Sequence, residues 1–292
     1  MKLDGIHHVT CITADAPGNV DFYAGTLGLR LVKKTVNQDD PTVYHLFYAD
    51  ERGSAGADIT FFEYPDVPRG RAGAGMVHRV AFRVASDESL DFWQNRVGGE
   101  RDGSLVFEDP EGLSLELVID DSGDEPLVAS HPDIPEEHAL RGFAGVRAYT
   151  RDPEQSRGFL EGTLGFEAGF VARGDHRSGF YVYDAAERLG QQGAGTVHHV
   201  AWATTIDEHE AWQRRVAEAG MRPTPVIDRF YFKSVYFREP NGILFELATL
   251  GPGFATDEDP EHLGERLSLP PAFEHLRDQI EPKLTPLPNP RG

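Results

Sequence analysis

Cysteine is almost missing from this 292-residue chain. The single one, Cys11, can close no internal disulfide, and a lone thiol in a strand is a small core residue before it is a nucleophile. No apolar run approaches the length of a membrane span, so a membrane partner is not expected. The first residues, Met1-Lys2-Leu3-Asp4-Gly5, have no apolar signal core, and with the missing disulfides this points to a reducing cytoplasm. Basic residues are scarce, 28 against 48 acidic ones, and the net charge of −20 would repel nucleic-acid phosphates. High-salt adaptation and plain solubility both accommodate such an acidic surface.

What is present is ordinary globular material, 39% hydrophobic and 26% charged, long enough for two domains. Its most informative stretch is Thr196-Val197-His198-His199-Val200-Ala201-Trp202. Strand alternation would send the two imidazoles to opposite faces. The run echoes Met76-Val77-His78-Arg79-Val80-Ala81-Phe82, where the second histidine has become arginine, and Gly5-Ile6-His7-His8-Val9-Thr10, where both remain. Other echoes keep the same order. Phe22-Tyr23-Ala24-Gly25-Thr26-Leu27-Gly28 returns as Phe159-Leu160-Glu161-Gly162-Thr163-Leu164-Gly165, and Glu108-Asp109-Pro110-Glu111-Gly112 as Arg238-Glu239-Pro240-Asn241-Gly242.

These repeats divide the chain into four modules, each a strand, a helix and two or three further strands. The predicted fold class is α+β: two duplicated halves whose curved mixed sheets form open cups. The N-terminal half spans 1–120, a Pro/Asp/Glu-rich linker 121–139, the C-terminal half 140–250, and a proline-rich tail 251–292 packs over the outside. Helices are expected near 17–25 with Asp15 as cap, near 88–97 after Ser86 or Asp87, near 153–162 after Asp152, near 208–219, and near 272–280 in the tail. A strand is expected near 230–237.

Aligning the modules on one another separates a kept site from a lost one. At the first-strand histidine position they carry His8, Arg79, Gly145 and His199; at the last-strand acidic position modules two and four carry Glu116 and Glu246, and module one Phe62 or Glu63. Modules one and four therefore supply two imidazoles and a carboxylate, the facial set that suits divalent iron and leaves open positions, with manganese an alternative. Closed structural zinc sites usually want four ligands, often thiolates, which this chain lacks.

The modules, Ile6-His7-His8-Val9-Thr10, Val197-His198-His199-Val200-Ala201 and Leu244-Phe245-Glu246 resemble the vicinal oxygen chelate superfamily of glyoxalases and extradiol dioxygenases. Leu31-Val32-Lys33-Lys34-Thr35-Val36, Tyr44-His45-Leu46-Phe47-Tyr48-Ala49-Asp50-Glu51, 229–242 and Leu250-Gly251-Pro252-Gly253-Phe254 resemble its hydroquinone-cleaving branch. The resemblance implies a metal-dependent ring-cleaving dioxygenase with Fe(II), or Mn(II), on His8, His199 and Glu246. It implies catalytic roles for His7, His198, Arg229 and Tyr236 near a hydroquinone- or catechol-type substrate, with dioxygen as co-substrate. Arg229 and Tyr236 fall opposite Gly99 and Val106 in the repeat alignment, so the lost site lacks them as well. Because Gly145 stands where a second-half histidine would be, the first and last modules must meet. The competing readings are a glyoxalase-like lyase or isomerase, its fourth ligand drawn from Glu63 or nearby, and a small-molecule-binding protein that uses the cup without metal. A homo-oligomer is compatible with all three.

Overall fold

The computed structural model describes residues 1–290. Its strands form two curved mixed sheets, of eight and seven strands. Each module places its first strand parallel to its last, with the others following antiparallel toward the sheet edge. The eight-stranded sheet unites modules one and four, because Ile6–Thr13 runs antiparallel to Thr196–Thr204. The seven-stranded sheet unites modules two and three through Met76–Val84 and Phe143–Thr150. Each cup therefore draws on both halves of the sequence.

Helices cover the convex faces. Ser86 caps Asp87–Val97 through the Ser89 N–H, and Trp93 is fully buried beneath it. His209–Glu218 buries Trp212 in the same way. Ala16–Val20, capped by Asp15, continues as a π-helical turn over Asp21–Thr26. The wider turn seats Tyr23 against Phe61, with ring centroids 4.5 Å apart, in a fully buried cluster; each such aromatic contributes about 2–3 kcal/mol by area. The 153–162 segment likewise begins as α-helix, Glu154–Phe159, and widens over Leu160–Leu164.

Three local expectations change. The tail forms two short turns of helix, Pro271–Glu274 and Arg277–Ile280, rather than one helix. The strand expected near 230–237 splits into Ile227–Asp228 and Lys233–Arg238, joined by a tight turn in which Phe230 takes φ +70°. The tail also does more than coat the surface. Lys33, fully buried, donates to Asp257 (2.8 Å), to Glu258 and to the Phe254 carbonyl, while Tyr231 donates to Asp257 (2.9 Å). The start of the tail thus forms the back of the first cup.

Candidate metal centre

Strand register brings His8, His199 and Glu246 together. Thr10 pairs with His199, and Ala201 pairs with both His8 and Glu246, so the three side chains rise from neighbouring strands on one concave face. All three are buried. His8 Nε2 lies 3.1 Å and His199 Nε2 2.9 Å from Glu246 Oε2, and the two nitrogens are 3.4 Å apart. Yet among the described residues neither oxygen of Glu246 has an aligned donor, because the ring nitrogens come close without hydrogen-bond alignment. An orphaned buried carboxylate beside two imidazoles is costly unless a cation sits among them. Separations near 3 Å match neighbouring ligands on bonds of about 2.1 Å, and two neutral rings with one carboxylate suit a divalent ion. Burial raises the Glu246 pKa, but the His8 and His199 rings outweigh it and hold the carboxyl well below its usual range.

His7 and His198 do not sit where strand alternation would put them. The register slips between Ile6 and His8, and again opposite Val197 and His199, so each doublet occupies a β-bulge. The bulge lets neighbouring rings meet: His7 Nδ1 is 2.9 Å from His8 Nδ1, and His198 Nδ1 is 2.8 Å from His199 Nδ1. His7 Nε2 lies 3.2 Å from the Thr249 carbonyl and must donate to it. Its Nδ1 then accepts from His8, which leaves the His8 Nε2 lone pair facing the cluster. Burial takes His7 and His198 down to about 3. Neither lines the pocket above the cluster; both stand behind it as orienting groups.

That pocket contains about 440 Å³ of empty space, counting the solvent at its mouth. His8 and His199 form its floor, and Phe47, Phe62 and Phe232 supply apolar wall. Tyr236 meets the His199 ring edge-on at 5.6 Å, and the Arg229 guanidinium lies 5.5 Å over the Tyr236 ring. Arg229 donates to both oxygens of Asp39 (3.1 and 2.9 Å), an ion pair across the mouth. Desolvation works against the Arg229 charge, but the Asp39 pairing prevails and raises its pKa. Burial, then the Glu246 charge, keeps Tyr236 protonated.

Sequence reasoning misplaced one position. The residue of module one equivalent to Glu246 is Thr60, neither Phe62 nor Glu63, since Thr60 pairs with Thr10 as Glu246 pairs with Ala201. Glu63 instead accepts from the Ala16 N–H (3.3 Å) and the Thr285 hydroxyl (3.4 Å), away from the cluster. Among the described residues the potential metal-binding group consists of His8, His199 and Glu246 alone, so a fourth ligand from Glu63 is not provided. Sequence reasoning also passed over His45 and Asp39, both in the pocket wall. His45 had left a signal: it alternates in phase with Phe47, while Tyr44, Leu46 and Tyr48 face the core.

The family model described as Glyoxalase/Bleomycin resistance protein/Dioxygenase superfamily matches residues 5–117 and 142–247. The chain belongs to that superfamily. Full-length relatives agree. MhqA of Bacillus subtilis, provisionally named a ring-cleaving dioxygenase, is 40% identical over 98% of this chain and 100% of its own. The chlorohydroquinone/hydroquinone 1,2-dioxygenase of Sphingobium indicum is 33% identical over 96% of this chain and 95% of its own. A crystal structure from Bacillus subtilis, provisionally named a dioxygenase, superposes with a TM-score of 0.90 at 39% identity, covering 98% of both chains. Superfamily membership fits the paired sheets, each built from two modules around a cup. Among the described residues no helix is long and apolar enough to cross a membrane.

Proposed function

We propose that this protein is a metal-dependent ring-cleaving dioxygenase acting on a hydroquinone-type aromatic, with Fe(II) or Mn(II) held by His8, His199 and Glu246. The observation that carries the reading is the unsatisfied Glu246 carboxylate facing two imidazoles at the foot of an aromatic-walled pocket. Relatives named for ring cleavage and for hydroquinone oxidation, similar along nearly the whole chain, support it. The bound ion would supply a Lewis-acidic, redox-active centre where a phenolic substrate and dioxygen react.

The chain's own groups do the rest. Phe47, Phe62 and Phe232 bury the faces of a flat ring and keep bulk water from it. Arg229, permanently charged, stabilises negative charge as the substrate hydroxyl ionises and the ring accepts oxygen. Tyr236, a neutral phenol beside His199, offers a proton or hydrogen bond to developing oxyanions. His7, anchored on the Thr249 carbonyl, holds the His8 ring in the required tautomer, and His198 orients the His199 ring; both act as positioning residues. The carbon–carbon bond next to a hydroxylated carbon breaks, and both atoms of dioxygen end in the ring-opened product.

Anaerobic reconstitution with Fe(II) or Mn(II), followed by oxygen-electrode assays with substituted hydroquinones, tests this. The expected result is one dioxygen consumed per ring opened. Conversion without oxygen uptake, or protein that takes up neither metal, would overturn it.

A further inference from the structure

His45 stands in the strand Asp40–Ala49, two strands from Ile6–Thr13 and on the same concave face. Its ring is clamped between Phe47 and Phe62, with centroids 3.9 and 4.4 Å away, so its plane is set. Its Nε2 lies 2.8 Å from Thr60 Oγ1, and Thr60 donates to Thr10 Oγ1 at 2.9 Å. The Thr60 hydroxyl, its proton committed to Thr10, accepts from His45 Nε2–H. Nδ1 is then a lone-pair acceptor, and among the described residues nothing donates to it. Burial holds this imidazole well below its ordinary range, so it is neutral. Three polar groups of that wall are engaged, Arg229 with Asp39, Gln38 with the Arg229 carbonyl, and Asn37 with the Tyr64 hydroxyl, while the Thr35 hydroxyl, cross-strand from His45, has no partner among the described residues.

We propose that His45 Nδ1 accepts a hydrogen bond from the substrate hydroxyl para to the one facing the metal cluster, making His45 a specificity-determining residue. This rests on the ring-cleaving reading and deepens it. His45 stands opposite Phe62, in the row of Ile12, two strands across and four residues along from His8, and both side chains line the same pocket, so a ring seated on the His8 side has its far edge toward the His45 wall. Thr60 is what frees this wall for recognition. At the position where module four places a ligand, module one places a hydroxyl that fixes the tautomer of a recognition residue.

The test is anaerobic calorimetric titration of Mn(II)-loaded protein with hydroquinone and with 4-fluorophenol, which keeps the ring and one hydroxyl but cannot donate at the far end. Wild type should favour hydroquinone about tenfold, the usual worth of one well-placed hydrogen bond. His45→Phe, which keeps the aromatic packing, should bring the ratio to about one without changing Mn(II) content. His45→Gln, which reaches Thr60 but leaves no acceptor at Nδ1, should do the same. His45→Asn, with an oxygen near the Nδ1 position, should keep most of the preference. A tenfold preference surviving in both His45→Phe and His45→Gln overturns the assignment while leaving the enzyme reading intact. Binding of neither phenol by the Mn(II)-loaded wild type overturns both.

Discussion

The two cups are built alike and hold different chemistry. In the seven-stranded sheet Arg79 occupies the His199 position, Glu116 the Glu246 position and Gly145 the His8 position. Even the bulges are kept, with His78 and Ala144 as the extra residues where the other sheet has His198 and His7. What differs is how the polar groups are satisfied. Glu116 accepts from Ser104 at 2.8 Å and lies 3.6 Å from Arg79, while Asp184 binds both Arg147 and His78. The place of a second imidazole is taken by the Phe180 ring, which stands against the Gly145 backbone. In the eight-stranded sheet two ring nitrogens lie within 3.1 Å of Glu246 but, among the described residues, neither of its oxygens has an aligned donor, whereas in the other sheet only Oε2 of Glu116 lacks one. The scaffold alone does not gather candidate metal ligands; they gather where two imidazoles and a carboxylate meet on one face.

The sharpest test of this contrast is the ligand set. Glu246→Gln or His199→Ala should abolish metal uptake, measured by elemental analysis, and lower hydroquinone turnover at least ~1,000-fold, the scale of losing an essential catalytic ion. Arg79→Ala in the other cup should leave turnover within about twofold. Equal losses from both cups would erase the distinction.

A second test asks whether the lost site is merely vacant or filled. A Cβ on Gly145 would come within 2.3 Å of the Phe180 ring and 2.5 Å of its carbonyl oxygen. Gly145→Ala should therefore destabilise by about 2–4 kcal/mol in urea unfolding, and shortening Phe180 should not restore it, because backbone is also in the way. A neutral Gly145→Ala would mean the second cup still has room for a ligand.

Acid should separate the cups more gently. His7 and His198 are held neutral in the folded protein, down to about 3, against an ordinary 6.5. Below 6.5 the unfolded chain takes up protons that the folded one refuses. Their contribution to the stability of the metal-free protein is therefore complete above 6.5 and declines as pH falls toward 3. The urea midpoint should drop across that window, and His198→Phe should flatten the curve. His78, lowered by burial but supported by Asp184, should matter less, so that His78→Phe leaves the slope nearly unchanged.

The smallest effect is expected at the mouth. Asp39 is 74% exposed, so Asp39→Asn should change stability by less than about 0.5 kcal/mol. A larger shift in the melting curve would mean that the Arg229–Asp39 pair supports the fold rather than only bridging the entrance.

Much of this was legible in the chain. The echoes of Val-His and Pro-x-Gly segments fix a repeated module, and comparing the copies isolates His8, His199 and Glu246, because a duplicated strand that loses its imidazole contrasts with one that keeps it. Residues whose role depends on register were not legible. Thr60 pairs with Thr10 only after strands are ordered, so the acidic position of module one was assigned two to three residues too late. His7 and His198 were expected opposite their neighbours, because a bulge leaves no mark in an alternating pattern. Phe230 lies within an apolar run and still turns, since Asp228 Oδ1 accepts from its N–H and the Arg229 N–H donates to the Phe232 carbonyl across the turn.

Sequence alone picked out which side chains could bind a metal and that the equivalent positions of the other two modules carry arginine, glycine and glutamate, because composition at equivalent positions survives without coordinates. Tertiary structure decided which modules share a sheet, which nitrogen of each imidazole faces the cluster, and which neutral ring stands across the pocket. Those depend on hydrogen bonds and strand pairings between residues as much as 242 positions apart, such as His7 and Thr249, and no local pattern encodes them.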